Sequence, residues 1–141
     1  MSQENVEIVR QAFEAFNRGD LEGVVDGCDP AVEWFPPKEL PSPGPYYGHQ
    51  GVRNAISDVI DTFSGAGAKP ERLIDAGDQV VVLYFWSGEG KGSGLPLSQF
   101  GKQAVVFTVQ NQKAVRVEWY LDAAYALEAA GLSKQDVQAD S

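Results

Sequence analysis

The sequence predicts an α+β domain in which helices pack on an antiparallel β-sheet. Three helix-forming segments precede residue 65, and four strand-forming segments follow one another between residues 69 and 120. Helices followed by consecutive strands are typical of the α+β class, and strands that are adjacent in sequence usually pair with each other. A length of 141 residues with 43% apolar residues suits one globular core. We therefore expect a single domain over residues 1–133 and a polar tail over residues 134–141.

Apolar side chains at helical spacing predict the helices. In the first helix, residues 4–17, they are Val6, Val9, Phe13 and Phe16. Gly19 is expected to end this helix and Asp20 to cap a short second one. Residues 31–35, AVEWF, predict a brief strand. In the third helix, from about residue 50 to 64, the apolar side chains are Val52, Ile56, Val59, Ile60 and Phe63, and Gly65 and Gly67 are expected to end it.

A proline-rich segment separates the brief strand from the third helix. Five of the eight prolines lie between residues 36 and 48, and proline has no backbone N–H to donate. Loops of this length are often functional covers, which makes Tyr46 and Tyr47 at its end candidate substrate-binding residues. A stiff connector without a function is the alternative interpretation.

Four strands are predicted over residues 69–76, 79–87, 99–110 and 113–120, followed by a short helix that Asp122 caps and Gly131 ends. Consecutive strands favour an antiparallel meander. Gly101 falls inside the third of these strands, where glycine often marks a bend. Because a bent sheet can wrap around a helix, we expect a cavity between the sheet and the helices.

The charge and the reactive residues exclude several classes of partner. Twenty acidic and 11 basic residues give a net charge of −9, which opposes binding to nucleic acid and to anionic membranes. No apolar stretch approaches the length of a membrane span, and Glu4 and Glu7 lie where a signal peptide would be basic and apolar, so we expect a cytoplasmic protein. One cysteine and one histidine cannot build a zinc site. We expect no metal and no cofactor, although carboxylates alone remain able to bind a metal.

Five segments resemble the SnoaL-like group of the nuclear transport factor 2 superfamily over nearly the whole chain. They are EIVRQAFEAFNRGDLEGVV (7–25), DPAVEW (29–34), YYGHQGVRNAI (46–56), DAGDQVVVL (75–83) and KAVRVEWYLDAAYALEAAGL (113–132). The resemblance implies a cone of curved antiparallel sheet around the N-terminal helices, an apolar pocket and a homodimer. The family includes polyketide cyclases, ketosteroid isomerases, epoxide hydrolases and proteins with no known reaction, so it predicts a pocket better than a chemistry.

The last strand carries two candidate catalytic residues. A period of two places Arg116, Glu118 and Tyr120 on one face and Trp119 on the other. If the polar face lines the pocket, Glu118 is a candidate general acid or base and Tyr120 a donor to a developing oxyanion. If it faces outward, Arg116 and Glu118 form a surface or interface ion pair. Both interpretations remain open.

His49 and Arg53 lie at the start of the third helix. The ordinary pKa of histidine suits proton transfer, which makes His49 a candidate catalytic residue, and a hydrogen bond at the helix start is the structural alternative. Arg53 is a candidate for pairing with a substrate carboxylate, or with Glu33 or Glu39.

Large aromatic residues are the candidate pocket walls. Trp34, Trp86 and Phe107 are placed there as substrate-binding residues, with core packing as the alternative. We predict a small-molecule-binding protein that takes an apolar or aromatic ligand, and if it is an enzyme, a cofactor-independent isomerase or cyclase acting by proton transfer. The competing prediction is a non-catalytic ligand carrier or a dimeric interaction module.

Overall fold

The computed structural model describes residues 2–38, 44–94, 96 and 101–132. Its helices are α1 Ser2–Asn17, α2 Leu21–Asp26, α3 Gly48–Thr62 and α4 Ala123–Ala129. Its strands are β1 Cys28–Phe35, β2 Tyr46–Tyr47, β3 Phe63–Ala76, β4 Gln79–Gly90, β5 Gln103–Gln110 and β6 Lys113–Tyr120. The α+β class is confirmed. The tail predicted over residues 134–141 lies outside the described residues.

The six strands form one open sheet in the order β2-β1-β6-β5-β4-β3. From β3 to β6 the strands pair as the predicted antiparallel meander. The prediction of a wholly antiparallel sheet is wrong at one pair of strands, because β1 pairs with β6 in parallel. Parallel neighbours need a long crossover connection, and α3 together with the meander supplies it.

Helix α3 leads directly into β3, which starts six residues before its predicted beginning. Gly65 and Gly67 were expected to end the helix, but both lie in β3, and Gly67 pairs with Ser87 of β4. A Cβ at Gly67 would stand 2.8 Å from the Ser87 side-chain oxygen, so a larger residue at this position would require the Ser87 side chain to move. Ile60, which belongs to the predicted apolar face of this helix, is 48% exposed.

The register of the sheet is irregular at four places. Two lie in the β3–β4 pairing, between residues 64 and 67 and between residues 70 and 72, a third lies between Thr108 and Val109 in β5, and the fourth lies between Cys28 and Glu33 in β1. Such irregularities increase the local twist and bend a strand. Gly101, which was expected to bend β5 from within, precedes that strand with a positive φ of 76°.

Helix α1 packs on the concave side of the bent sheet. Val9 and Phe13 are buried, as their spacing predicts. Asn17 ties the end of the helix to β3, because its side chain donates to the Ala68 carbonyl and accepts from the Ala68 N–H, both at 2.8 Å. Asp20 caps α2 through the Gly23 N–H at 2.9 Å, as predicted.

Alternation along the strands divides the buried residues into two clusters. The inner cluster, on the concave side, joins the helices α1 and α3 to the strand residues Val32, Val80, Val82, Val105 and Val117, among others. The outer cluster, under α4, consists of Ile74, Val81, Leu83, Ala104, Val106, Ala126 and Leu127. Within the described residues, no helix combines the length and apolarity that a membrane crossing needs.

Candidate functional site

A cavity of about 670 Å³ lies between α1, α3 and the concave face of the sheet. This volume falls in the usual range for small-molecule sites. Its lining is predominantly apolar, and nine of the lining side chains are aromatic. They are Phe13, Phe16, Trp34, Tyr46, Phe63, Tyr84, Trp86, Phe107 and Trp119.

Three tryptophans form much of the cavity wall, and they are all the tryptophans in the chain. The rings of Trp86 and Trp119 are stacked at 6.1 Å with 21° between their planes, and Trp34 packs against Trp119 at 5.6 Å. The Tyr84 ring meets both Trp86 and Trp119 edge-on at 5.5 Å. The contacts hold a flat, apolar surface in place before any ligand binds. Among the residues predicted to bind substrate, Trp34, Trp86 and Phe107 line this cavity.

Gln103 is a buried polar group in this aromatic wall, with 4% of its surface exposed. Its Oε1 atom accepts two hydrogen bonds, from the Tyr84 hydroxyl at 3.1 Å and from Trp86 Nε1 at 2.9 Å. Burial raises the pKa of Tyr84, which keeps its hydroxyl protonated. Gln103 was not among the predicted site residues, although its position on β5, two residues before the apolar Val105, was an available signal.

The rim of the cavity carries the carboxylates of Asp58 and Asp61 on α3, which are exposed. The Tyr46 hydroxyl donates to Asp58 Oδ2 at 2.7 Å. Tyr46 pairs with Trp34, which also lines the cavity, whereas Tyr47 pairs with Glu33 and is 61% exposed. Adjacent residues of a strand point to opposite faces, so of the two tyrosines predicted to bind substrate, Tyr46 lines the cavity and Tyr47 does not. Asp58 and Asp61 were also missed, because an acidic residue on a predicted helix gives no sign of its neighbours.

Glu118 and Tyr120 lie on the face of β6 that is opposite the cavity. Glu118 Oε1 is 3.3 Å from Arg116 Nε, and the Tyr120 hydroxyl donates to Glu118 Oε2 at 3.2 Å. Partial burial, followed by the charge of Glu118, raises the pKa of Tyr120. The inward placement on which their catalytic roles depended is corrected, because the apolar side chains of Val117 and Trp119 occupy the inner face.

His49 and Arg53 are not among the cavity-lining residues either. One ring nitrogen of His49, Nε2, is 2.8 Å from the Cys28 carbonyl oxygen and ties the start of α3 to β1. Arg53 forms two 2.9 Å hydrogen bonds with the carboxylate of Glu22, which lower the pKa of Glu22 and raise that of Arg53. The partner of Arg53 is thus Glu22 and not Glu33, while Glu39 lies outside the described residues. The expected catalytic and substrate-binding placements of these two residues are corrected, since both side chains are engaged within the protein.

Cys28 lies at the cavity wall, at the start of β1. Burial raises the pKa of its thiol to about 11, so the thiol is protonated near neutral pH. In the described part of the chain, no three histidine, cysteine, aspartate or glutamate side chains come together as a set of metal ligands.

Comparisons with known proteins agree with this fold. Residues 9–117 match the family model of the SnoaL-like domain. An NTF2-like protein of unknown function from Burkholderia pseudomallei is 29% identical and superposes with a TM-score of 0.74 over 89% of this chain and 95% of its own. TerC, co-crystallised with polyporic acid, is 25% identical with a TM-score of 0.72 over 91% and 98% of the two chains. An uncharacterised protein of Mycobacterium tuberculosis is 28% identical over 126 residues, which are 85% of this chain and 91% of that protein. The chain therefore belongs to the SnoaL-like domain family of the nuclear transport factor 2 superfamily.

Proposed function

We propose that the protein binds a flat, largely apolar cyclic molecule in the aromatic cavity. The observation that carries the proposal is a 670 Å³ space whose wall includes the stacked rings of Trp86 and Trp119. Rings that are held in place by their neighbours lose little conformational freedom when a flat ligand packs on them. The co-crystallisation of TerC with polyporic acid supports small-molecule binding by a protein of this fold.

A cofactor-independent isomerase or cyclase is the catalytic form of this proposal. Proton transfer needs a group at the cavity that can accept a proton. In the described lining, Asp58 and Asp61 are the carboxylates, and Asp58 is hydrogen-bonded to Tyr46. We assign the acceptor role to Asp58 on this ground. A ligand carrier would share the binding step and differ by the absence of turnover.

The binding proposal is tested by titration with tetralin, an uncharged bicyclic hydrocarbon. Because every tryptophan of the chain lines the cavity, the three indole N–H signals in a ¹⁵N–¹H NMR spectrum report on its occupation. Saturable shifts of these signals are expected for the wild-type protein. Their absence at the solubility limit of tetralin would contradict the proposal.

Two substitutions on neighbouring positions of α1 locate the binding site. Ala12 lines the cavity and Gln11 is exposed beside it. Ala12→Phe places a ring in the space that the ligand needs, so affinity for tetralin is expected to fall by at least about tenfold, the equivalent of 1.4 kcal/mol. Gln11→Phe adds the same ring outside the cavity and should bind as the wild type does. Equal affinity of both variants would place the ligand elsewhere.

The homodimer implied by the family stays a prediction, because the structure contains one chain. Sedimentation velocity of the purified protein distinguishes a monomer of 15.3 kDa from a dimer. A dimer that shows no saturable ligand binding would favour the interaction module over the binding protein.

A further inference from the structure

Gln103 is a polar residue on the inner face of the sheet, where its neighbours are predominantly apolar. It is more than nine-tenths buried, and it lines the cavity beside Tyr84 and Trp86. A buried polar side chain lowers stability unless its hydrogen bonds are made. The placement of each atom of its amide therefore matters.

The orientation of the Gln103 amide follows from its partners. Trp86 Nε1 is a donor only, so the atom 2.9 Å away must be the amide oxygen. The Tyr84 hydroxyl donates to the same oxygen and uses its second lone pair. The amide nitrogen, which carries two N–H donors, is the part of the side chain that remains. In the described part of the chain, the two hydrogen bonds of the Gln103 side chain are both made by its oxygen, and the nitrogen makes none.

A second unpaired N–H donor belongs to Trp119, in the same aromatic wall. Trp119 Nε1 is buried without a hydrogen-bond partner in the described residues, and its ring is stacked on that of Trp86. The Trp119 Nε1 atom is closed off by its neighbours, whereas the amide nitrogen of Gln103 is not among the sealed atoms and remains for a ligand. A neutral N–H donor of this kind complements an uncharged acceptor oxygen.

We propose that Gln103 is a specificity-determining residue whose amide nitrogen donates a hydrogen bond to a carbonyl oxygen of the bound ligand. The cavity accordingly selects cyclic ketones and related ring carbonyls over hydrocarbons of the same shape. Tyr84 and Trp86 are the positioning residues, because both donate hydrogen bonds to the amide oxygen and so orient the nitrogen toward the ligand. This inference rests on the proposed binding function and names the ligand class of the same site.

The experiment compares 1-tetralone with tetralin, two bicyclic molecules that differ by one carbonyl group. In the wild-type protein, the side-chain amide protons of Gln103 should move downfield in the ¹⁵N–¹H spectrum when 1-tetralone is added, and not when tetralin is added. This measurement needs no variant. The same response to both ligands would overturn the role of Gln103 while leaving the binding function in place, and failure of both ligands to bind would overturn both.

A pair of substitutions on β5 measures the energetic effect. Gln103→Met keeps the length of the side chain and removes the donor, and Gln110→Met makes the same change at an exposed position. Because one hydrogen bond to the ligand is lost, Gln103→Met should weaken the binding of 1-tetralone about 2- to 10-fold more than the binding of tetralin. Gln110→Met should leave both affinities unchanged. Equal weakening of both ligands by Gln103→Met would show a packing role only.

Discussion

The two faces of the sheet bury apolar residues in different ways. On the inner face, long aromatic side chains from β1, β4, β5 and β6 meet α1 and α3 and leave an open volume of about 670 Å³ between them. On the outer face, aliphatic residues such as Val81, Leu83 and Val106 are covered by the short helix α4. Protein interiors are normally close-packed, so an open volume of this size is a distinctive feature of the inner face. The curvature and the aromatic residues together make the inner face a binding site.

The polar groups of the two faces differ in the same way. On the inner face, Gln103 is almost sealed from solvent and accepts hydrogen bonds from two aromatic neighbours. On the outer face, Arg116 and Glu118 form an ion pair whose side chains are 47% and 22% exposed. Solvent weakens such a pair, while a buried hydrogen bond keeps its strength and geometry. Only the inner group has the fixed environment that specific recognition needs.

Truncation in each cluster is the strongest test of this comparison. Phe13 is 4% exposed and contacts the rings of Tyr84 and Phe107, so Phe13→Ala should lower the free energy of unfolding by about 3–5 kcal/mol in urea denaturation. It should also alter tetralin binding, because Phe13 lines the cavity. Leu127→Ala in the outer cluster should cost about 2–5 kcal/mol and leave ligand affinity unchanged. If Leu127→Ala changed the affinity for tetralin and Phe13→Ala did not, the assignment of the binding site to the inner face would be wrong.

The pH dependence of stability tests the burial of Cys28 on the inner face. Its pKa is raised to about 11 in the folded protein and is near 9.0 without burial, so between these values the folded state binds more protons than the unfolded state. Stability is therefore full below pH 9 and falls as the pH rises toward 11, by about 2–3 kcal/mol from this thiol.

The matched control is Cys28→Ala, which lacks this titration and keeps that of the tyrosines. The difference in unfolding free energy between the wild type and Cys28→Ala should shrink from pH 8 to pH 11. A constant difference would mean that solvent reaches the thiol in the folded state.

The smallest effect is expected from the outer ion pair. Glu118→Gln removes the charge that faces Arg116 and keeps the shape of the side chain, so stability should change by less than about 1 kcal/mol. Ligand affinity and any turnover should be the same as in the wild type. Loss of binding in this variant would show that Glu118 reaches the cavity and would contradict the separation of the two faces.

Local patterns predicted the elements of the fold well. The spacing of Val9 and Phe13 identified the buried side of α1, and Asp20 and Asp122 cap helices as expected. The parallel pairing of β1 with β6 was missed, because no local pattern records which distant strand lies beside an edge. The start of β3 was missed because its glycines are typical of helix ends as well as of close strand packing.

The candidate site was also predicted where local patterns determine it and missed where distant contacts do. Period-two alternation correctly grouped Arg116, Glu118 and Tyr120 on one face of β6, and it contained no information on which face would be concave. Composition and spacing were enough to establish the α+β class and the helical faces, since these depend on neighbours a few residues apart. The tertiary structure decided that Trp119 faces the cavity and Glu118 the outside, and that Gln103 meets Tyr84 and Trp86. These outcomes depend on the bending of the sheet and on contacts between distant strands, which form only when the whole chain packs.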